Sequence, residues 1–199
     1  FLAIPKANYK LNMQACNKAL SYLKKRGPDW HFQKIINQKY FGQTVLSMTG
    51  SKNFKIENHM SKDKRFLILF NGEIYNYQEL AKKYNYHSQK NPSDTQILVN
   101  NFNPKNIKNF FNKLDGMFAI ILYDALNDKV IVARDLQGEK TLNMYEDNNL
   151  IIISSEINAI KTYVENLKLN YSWLQTYFNT RHFLQFDNSI YDNIKIIQP

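Results

Sequence analysis

A layered α+β fold, sheets packed against helices, is the class this sequence predicts, and three observations carry it. Apolar runs rich in Ile, Val, Leu, Phe and Tyr recur at 66–70, 117–123, 129–133 and 150–154, each short enough to be a strand. Continuous runs of this kind belong to strands covered on both faces. Segments with the 3.6-residue period of helices lie between them, so helices are available for the outer faces. The turn formers Asn127-Asp128 and Asp147-Asn148-Asn149 separate the later strands.

Residues 1–4 read as a short buried strand. In 11–25, Cys16, Ala19, Leu20 and Leu23 repeat at i, i+3, i+4, i+7, the spacing of one buried helix face, and Gly27-Pro28 stops the helix. Strands follow at 41–47 and 66–70, with Asn71-Gly72 as the turn that ends the second. One or two helical turns cover 77–84. Ser93 with Gln96 three residues later is a capping box that opens a helix through about 101. A second short helix spans 107–114. The strands at 117–123, 129–133 and 150–154 come next, then helices at 155–164 and 171–182, the last with aromatics at 173, 177 and 183.

The 199 residues suffice for one domain with a substantial core, and 44% are hydrophobic. The net charge is +9, but the lysines are scattered among Asn, Ile and Tyr rather than clustered, which argues against nucleic acid as a partner. No run of 18 apolar residues and no signal-peptide pattern occurs, so a cytoplasmic protein without membrane contact is expected. Cys16 is the only cysteine, so the chain forms no internal disulfide, which suits a reducing compartment. Its place in the helix repeat makes it a core residue rather than a nucleophile. No metal-binding spacing is present.

The most informative stretch is Asn71-Gly72-Glu73-Ile74-Tyr75-Asn76-Tyr77 after the run 66–70. An Asn side chain beside an unobstructed Gly amide can form an oxyanion hole, two donors aimed at a developing negative oxygen. Alone, Asn-Gly is more often a plain turn. Four further segments flank it in order: Arg26-Gly27-Pro28-Asp29-Trp30; Ser93-Asp94-Thr95; Leu114-Asp115-Gly116-Met117-Phe118-Ala119; and Ala133-Arg134-Asp135 with Gly138 and Ser155-Glu156.

Together these five segments resemble the N-terminal, class II glutamine amidotransferase domain of the asparagine-synthetase family, from about residue 26 to 199. The resemblance implies the N-terminal-nucleophile fold, a four-layer α-β-β-α sandwich with two mainly antiparallel sheets between helix layers, as one domain over 1–199. Residues 184–199 would lead into a synthetase domain beyond this chain. In that family the mature chain begins with Cys, whose thiolate attacks the glutamine amide while its α-amine, with a pKa of about 7.7–8.0, serves as base. Here Phe1 stands at that position, and a phenyl ring has no nucleophilic atom.

The other matches are mixed. Asn71 and Gly72 fit the oxyanion hole. Glu73 and Asp94 fit the carboxylates that contact the substrate's polar groups, though from the residues alone Glu73 reads sooner as a solvated loop charge and Asp94 as a favourable helix-start charge. The arginine that binds the glutamine α-carboxylate lies in a His-x-Arg-Leu pattern; Gln43-Thr44-Val45-Leu46 matches it and puts Val45 in its place. No arginine lies between Arg26 and Arg65, leaving Lys52 or Lys55 as point-charge substitutes. Pro92 precedes Ser93 where relatives often carry Gly, and 137–141 departs from a Phe-Gly-x-Lys-Pro-like segment. Asp115–Ala119 and Arg134-Asp135 read as intact scaffold.

The resemblance therefore implies an amidotransferase-like front domain of an ATP-dependent amide-forming enzyme, of the kind seen in β-lactam synthetases and lasso-peptide cyclases, with glutamine hydrolysis lost. ATP and Mg would belong to the synthetase domain, this chain's expected partner, with a homodimer as a further arrangement. One alternative is an active glutaminase domain of an asparagine synthase whose cysteine precedes Phe1. Another is a stand-alone, non-catalytic binding module.

Overall fold

Residues 1–47, 55–83, 92–182 and 187–199 are described by the computed structural model, in which the chain forms two units, 1–45 with 141–199 and 46–140. In chain order the elements are β1 (Leu2–Pro5), α1 (Met13–Leu23), β2 (Trp30–Ile36), β3 (Lys39–Val45), a 3-10 turn (Ile56–His59), β4 (Phe66–Ile74), α2 (Tyr77–Lys83), α3 (Asp94–Asn101), α4 (Ile107–Phe111), β5 (Gly116–Asp124), β6 (Lys129–Arg134), β7 (Asn143–Glu146), β8 (Leu150–Ser154), α5 (Ile157–Tyr163), α6 (Tyr171–Thr180) and β9 (Ile194–Ile196).

In the first unit, six antiparallel strands run in the order β2-β3-β1-β8-β7-β9. β1 is flanked on both sides, Leu2 facing Phe41 on one strand and Ile153 on the other. Period-two alternation splits its side chains: Phe1 and Ala3 join a core with Cys16, Ala19, Leu20 and Leu23 of α1 and Ala159 and Ile160 of α5. The repeat at 16, 19, 20 and 23 is thus the buried face of α1, and burial pushes the Cys16 thiol up to about 12. Three strands of this unit escape the sequence pattern. β2 mixes His31, Gln33 and Lys34 among its apolar residues. It is made a strand by pairing with β3 through a hairpin in which Asn37 and Gln38 both hold positive φ, 47° and 63°. β7 and β9 are too short to register.

The second unit is a three-stranded antiparallel sheet, β4-β5-β6, with α2, α3 and α4 against it. Phe66, Ile68 and Phe70 of β4 meet Ile97, Leu98 and Phe102 of α3 and its flank, together with Phe110 of α4. The capping box is present as read, Ser93 and Gln96 bonding each other's backbone.

One expectation is corrected here. β4 does not end at Asn71-Gly72 but pairs with β5 through to Ile74 opposite Gly116. Gly72 has φ +151°, and a Cβ on it would lie 2.0 Å from the Met117 carbonyl oxygen; Gly116, also at +151°, stands in the same relation to the Glu73 carbonyl at 2.2 Å. Two glycines, one per strand, let the backbones cross closely, and the ladder overrides the turn preference of Asn-Gly. Similarly, Gly116 does not form a turn before β5 but belongs to it.

Asp124 closes the far end of this sheet. It accepts from Arg65 Nε at 2.9 Å and from the other guanidinium nitrogen at 2.6 Å, and also from the Leu126 and Asn127 amides, with 3% of its side chain exposed. The Arg65 hydrogen bond, with those from Asn127 and Leu126, holds its carboxyl well below the usual carboxylate range. Such a group adds stability above its unfolded pKa of about 3.9 and loses it as pH falls toward the folded value. Asp124→Asn is expected to lower stability at pH 7 by about 1–3 kcal/mol and to flatten the loss of stability below pH about 4. Urea titrations at several pH values check this; an unchanged acid limb would count against it.

Candidate active site

Within the second unit, the structure brings four of the expected site residues together. Asn71, Gly72 and Glu73 are consecutive on β4, and Asp94 opens α3 beside them. Asp94 is 5% exposed; one carboxylate oxygen accepts from the Thr95 amide at 2.7 Å and the other reaches the Ile74 amide at 3.4 Å. The same carboxylate therefore sits at the helix start and ties it to the strand. Burial raises its pKa, the Glu73 charge raises it further, and the two amides oppose them.

The Asn71 side-chain nitrogen is buried and has no hydrogen-bond partner among the described residues. A buried donor without an acceptor costs about 1–3 kcal/mol, so such a group calls for a ligand, an ion or a water to supply the acceptor, or for a catalytic role. Beside Gly72, this donor is suited to an oxygen that gains negative charge. Tyr75, 56% exposed, has its pKa raised by burial of its hydroxyl's surroundings and by Glu139, Glu73, Asp115 and Asp135. Asn76 holds the loop in place, donating to the Lys113 carbonyl at 2.9 Å and accepting from the Asp115 amide at 3.2 Å. The stretch after Asn71-Gly72 is thus fixed by hydrogen bonds that no local sequence pattern announces.

In the first unit, Phe1 is 6% exposed, its ring edge-on to Tyr40 at 6.0 Å within the helix-side core. Its amine donates to the Gly42 carbonyl at 2.8 Å, and its own carbonyl accepts from the Gly42 amide at 2.8 Å. Burial lowers the amine's pKa to about 5, so it is neutral at pH 7. Val45 is the last residue of β3. The Arg26–Asp29 segment is laid along this strand end: a Cβ on Gly27 would come within 2.4 Å of the Val45 amide nitrogen, and the Asp29 amide donates to the Val45 carbonyl at 3.1 Å.

The arginines are otherwise engaged. Arg26 pairs with Glu156, Arg65 with Asp124, and Arg134 donates to the carbonyls of Lys140 and Gly138, each at 2.6 Å. Arg134 and Asp135 act on the same loop: Asp135 accepts from the Phe118, Glu139 and Lys140 amides. Of four arginines in the sequence, three are tied to scaffold. The fourth, Arg181, caps α6 in the left-handed conformation. Lys52 lies outside the described residues; Lys55 precedes the 3-10 turn and is exposed.

Among the described residues, no group of three or more His, Cys, Asp or Glu is placed to hold a metal ion, and no helix is long and apolar enough to cross a membrane.

The family of the glutamine amidotransferase domain matches residues 3–199. A probable glutamine-hydrolysing asparagine synthetase of Acanthamoeba polyphaga mimivirus is 31% identical over 170 residues, 81% of this chain and 30% of that protein. A glutamine-hydrolysing asparagine synthetase of Bacillus subtilis is 30% identical over 145 residues, 71% of this chain and 18% of that protein. The chain thus spans less than a third of either relative. Among solved structures, the glutamine phosphoribosylpyrophosphate amidotransferase of B. subtilis, complexed with ADP and GMP, superposes with a TM-score of 0.64 at 18% identity, over 82% of this chain and 44% of that one. A structure of the allosteric regulatory enzyme of purine biosynthesis gives 0.62 at 17%, over 82% and 43%. At these identities the likeness is one of fold: α+β, two antiparallel sheets with helices, the N-terminal-nucleophile type.

Proposed function

This chain belongs to the glutamine amidotransferase domain family, and we propose that it is the front domain of an asparagine-synthetase-like, ATP-dependent amide-forming enzyme in which glutamine hydrolysis is lost. The observation that carries the loss is the disposition of the arginines. Val45 stands where the resemblance puts the carboxylate clamp, and Arg26, Arg65 and Arg134 are committed to scaffold bonds. An α-carboxylate desolvated against Val lacks the fork that would compensate it, at a cost of several kcal/mol. Phe1, the residue that the resemblance sets at the nucleophile position, has a ring without a nucleophilic atom, which supports the same reading. An enzyme of the β-lactam-synthetase or lasso-peptide-cyclase kind fits these losses: the synthetase domain activates a carboxylate with ATP and an amine other than glutamine-derived ammonia attacks it. ATP and Mg would be held by that domain.

Purified chain is expected to release no glutamate from glutamine above background and to show no heat of glutamine binding at millimolar concentration. Turnover near the enzymatic median of about 10 per second, or a micromolar dissociation constant, about 8 kcal/mol of binding, would overturn the proposal.

A second reading is favoured by one observation, the buried Asn71 side-chain nitrogen with no hydrogen-bond partner among the described residues, beside Gly72. In it the domain is an active glutaminase and a cysteine stands ahead of Phe1, whose ring is then an ordinary core residue. Appending Cys-Gly before Phe1 separates the two: glutamate release from that variant supports the second reading, and silence supports the first.

A further inference from the structure

We infer that the outer edge of β6 is an interface, at which a second copy of this chain pairs antiparallel about a two-fold axis at Ile131. Within the second unit β6 ends the sheet order β4-β5-β6, and among the described residues no strand pairs with its outer side. In an antiparallel pair the two backbone groups of a residue point the same way, so successive residues face alternately toward the partner strand and away from it. The Asp135 amide donates to the Phe118 carbonyl at 2.9 Å, and the register sets Ala133 opposite Ile120 and Ile131 opposite Leu122. Ile131 and Ala133 therefore spend their backbone groups on β5, and those of Val130 and Val132 point outward.

Such an edge templates pairing with another chain unless it is blunted by polar residues or covered. The other sheet edges show both devices. β2 carries His31, Gln33 and Lys34. Met60 bridges to Leu67 along β4, where the Ser61 amide donates to the Phe66 carbonyl at 2.9 Å. Asn188 bridges to Lys195 along β9, where the Ile196 amide donates to the Asp187 carbonyl at 2.8 Å. β6 has neither device. Between Lys129 and Arg134 it consists of Val130, Ile131, Val132 and Ala133, with no proline and no break in the register with β5.

The occupant is argued from the sequence on either side of the strand, which fits its own reversal. Leu126 and Leu136, 74% and 84% exposed, each stand five positions from Ile131. Two-fold pairing sets Val130 of one copy opposite Val132 of the other and Ile131 opposite itself. Leu126 of each copy then comes to the end where Leu136 of the other lies, and both lose exposed apolar surface. The same register brings Asp128 toward Arg134 of the other copy and sets Lys129 opposite Ala133. Opposite charges approach and no like charges face each other, the arrangement that favours cross-strand pairing. A foreign extended peptide would satisfy the backbone of Val130 and Val132, but the placement of the two leucines about Ile131 matches a second copy.

Sedimentation velocity of the purified chain over a wide concentration range tests the pairing, and a concentration-dependent dimer is expected. Val132→Pro removes an outward N–H without removing a bond to β5, so it should abolish the dimer while the urea midpoint stays in place. Cysteine crosslinking tests the register by a separate route, since the native Cys16 is buried. Ile131 would face its own copy in a non-hydrogen-bonded pair, with Cα atoms about 4.5 Å apart, within the span of a disulfide. Ile131→Cys treated with diamide should therefore give a covalent dimer. Lys129→Cys should not, because the two copies of that position would lie about 13 Å apart at about 3.3 Å per residue. A chain that stays monomeric at every concentration would overturn the inference. So would a dimer untouched by Val132→Pro, or one that crosslinks through Lys129→Cys and not through Ile131→Cys. Should Val132→Pro fail to fold, the two cysteine variants decide alone. Glutamine plays no part in these measurements, so their outcome leaves the proposed function where it stands.

Discussion

Gly72→Ala should cost this protein about 2–6 kcal/mol, the sum of backbone strain and overpacking, each about 1–3 kcal/mol. Gly72 holds φ +151°, which L side chains rarely adopt, and the new Cβ would fall 2.0 Å from the Met117 carbonyl oxygen and 2.7 Å from the Phe118 Cα. Both neighbours are backbone of β5, so no rotamer change relieves the contact. Relief requires β4 and β5 to separate at the position that carries Asn71, and the loss approaches the whole stability of a marginal domain, about 5–15 kcal/mol. Gly116→Ala is expected to behave alike, since its Cβ would meet the Glu73 carbonyl at 2.2 Å. Ala7→Gly is the contrasting control. Ala7 is exposed at φ 42°, so glycine there should leave stability level or slightly higher. Urea unfolding of the three variants decides the matter, and a Gly72→Ala midpoint indistinguishable from wild type would show that the strands do not cross this closely.

Phe1→Cys is the second large effect, and it should fall on stability without giving activity. The ring is a member of the core formed with Tyr40, Leu20 and the α5 residues Ala159 and Ile160. Truncating a buried Phe to Ala typically costs about 3–5 kcal/mol, and Cys, only slightly larger than Ala, should recover little of it. The new thiol would be buried in the same core as Cys16, and burial in apolar surroundings disfavours the thiolate that would have to attack. Glutamate release is therefore expected to stay at background. Adding Val45→Arg restores the expected carboxylate fork and is required before any glutamine turnover; Phe1→Cys alone turning over glutamine would show that the clamp is dispensable and that Phe1 occupies the nucleophile position.

These expectations depend unequally on sequence and structure, and the division follows the range of the interactions. The α1 face at Cys16, Ala19, Leu20 and Leu23 and the Ser93–Gln96 capping box were legible because both are made by residues within one or two turns of each other. β2 was not, because its polar residues hide the alternation and its strand character comes from pairing with β3. Asn71-Gly72 stood out in the sequence but not as part of a strand, since what overrides the turn is the ladder with β5, about 45 residues away in sequence.

The sequence by itself determined which chemical groups this protein has. It has Phe at residue 1, Val at residue 45, four arginines in all, and Asn71, Gly72, Glu73 and Asp94 in the order of the motif. Only the tertiary structure decided what those groups are free to do. It spends Arg26 on Glu156, 130 residues on, and Arg65 on Asp124, 59 residues on. It fixes Asp94 to both a helix and a strand and leaves the Asn71 side-chain nitrogen without a hydrogen-bond partner among the described residues. A residue's type fixes its chemistry locally, whereas its partners come from parts of the chain that no local pattern links, and burial and hydrogen-bond competition among those partners settle which groups remain available.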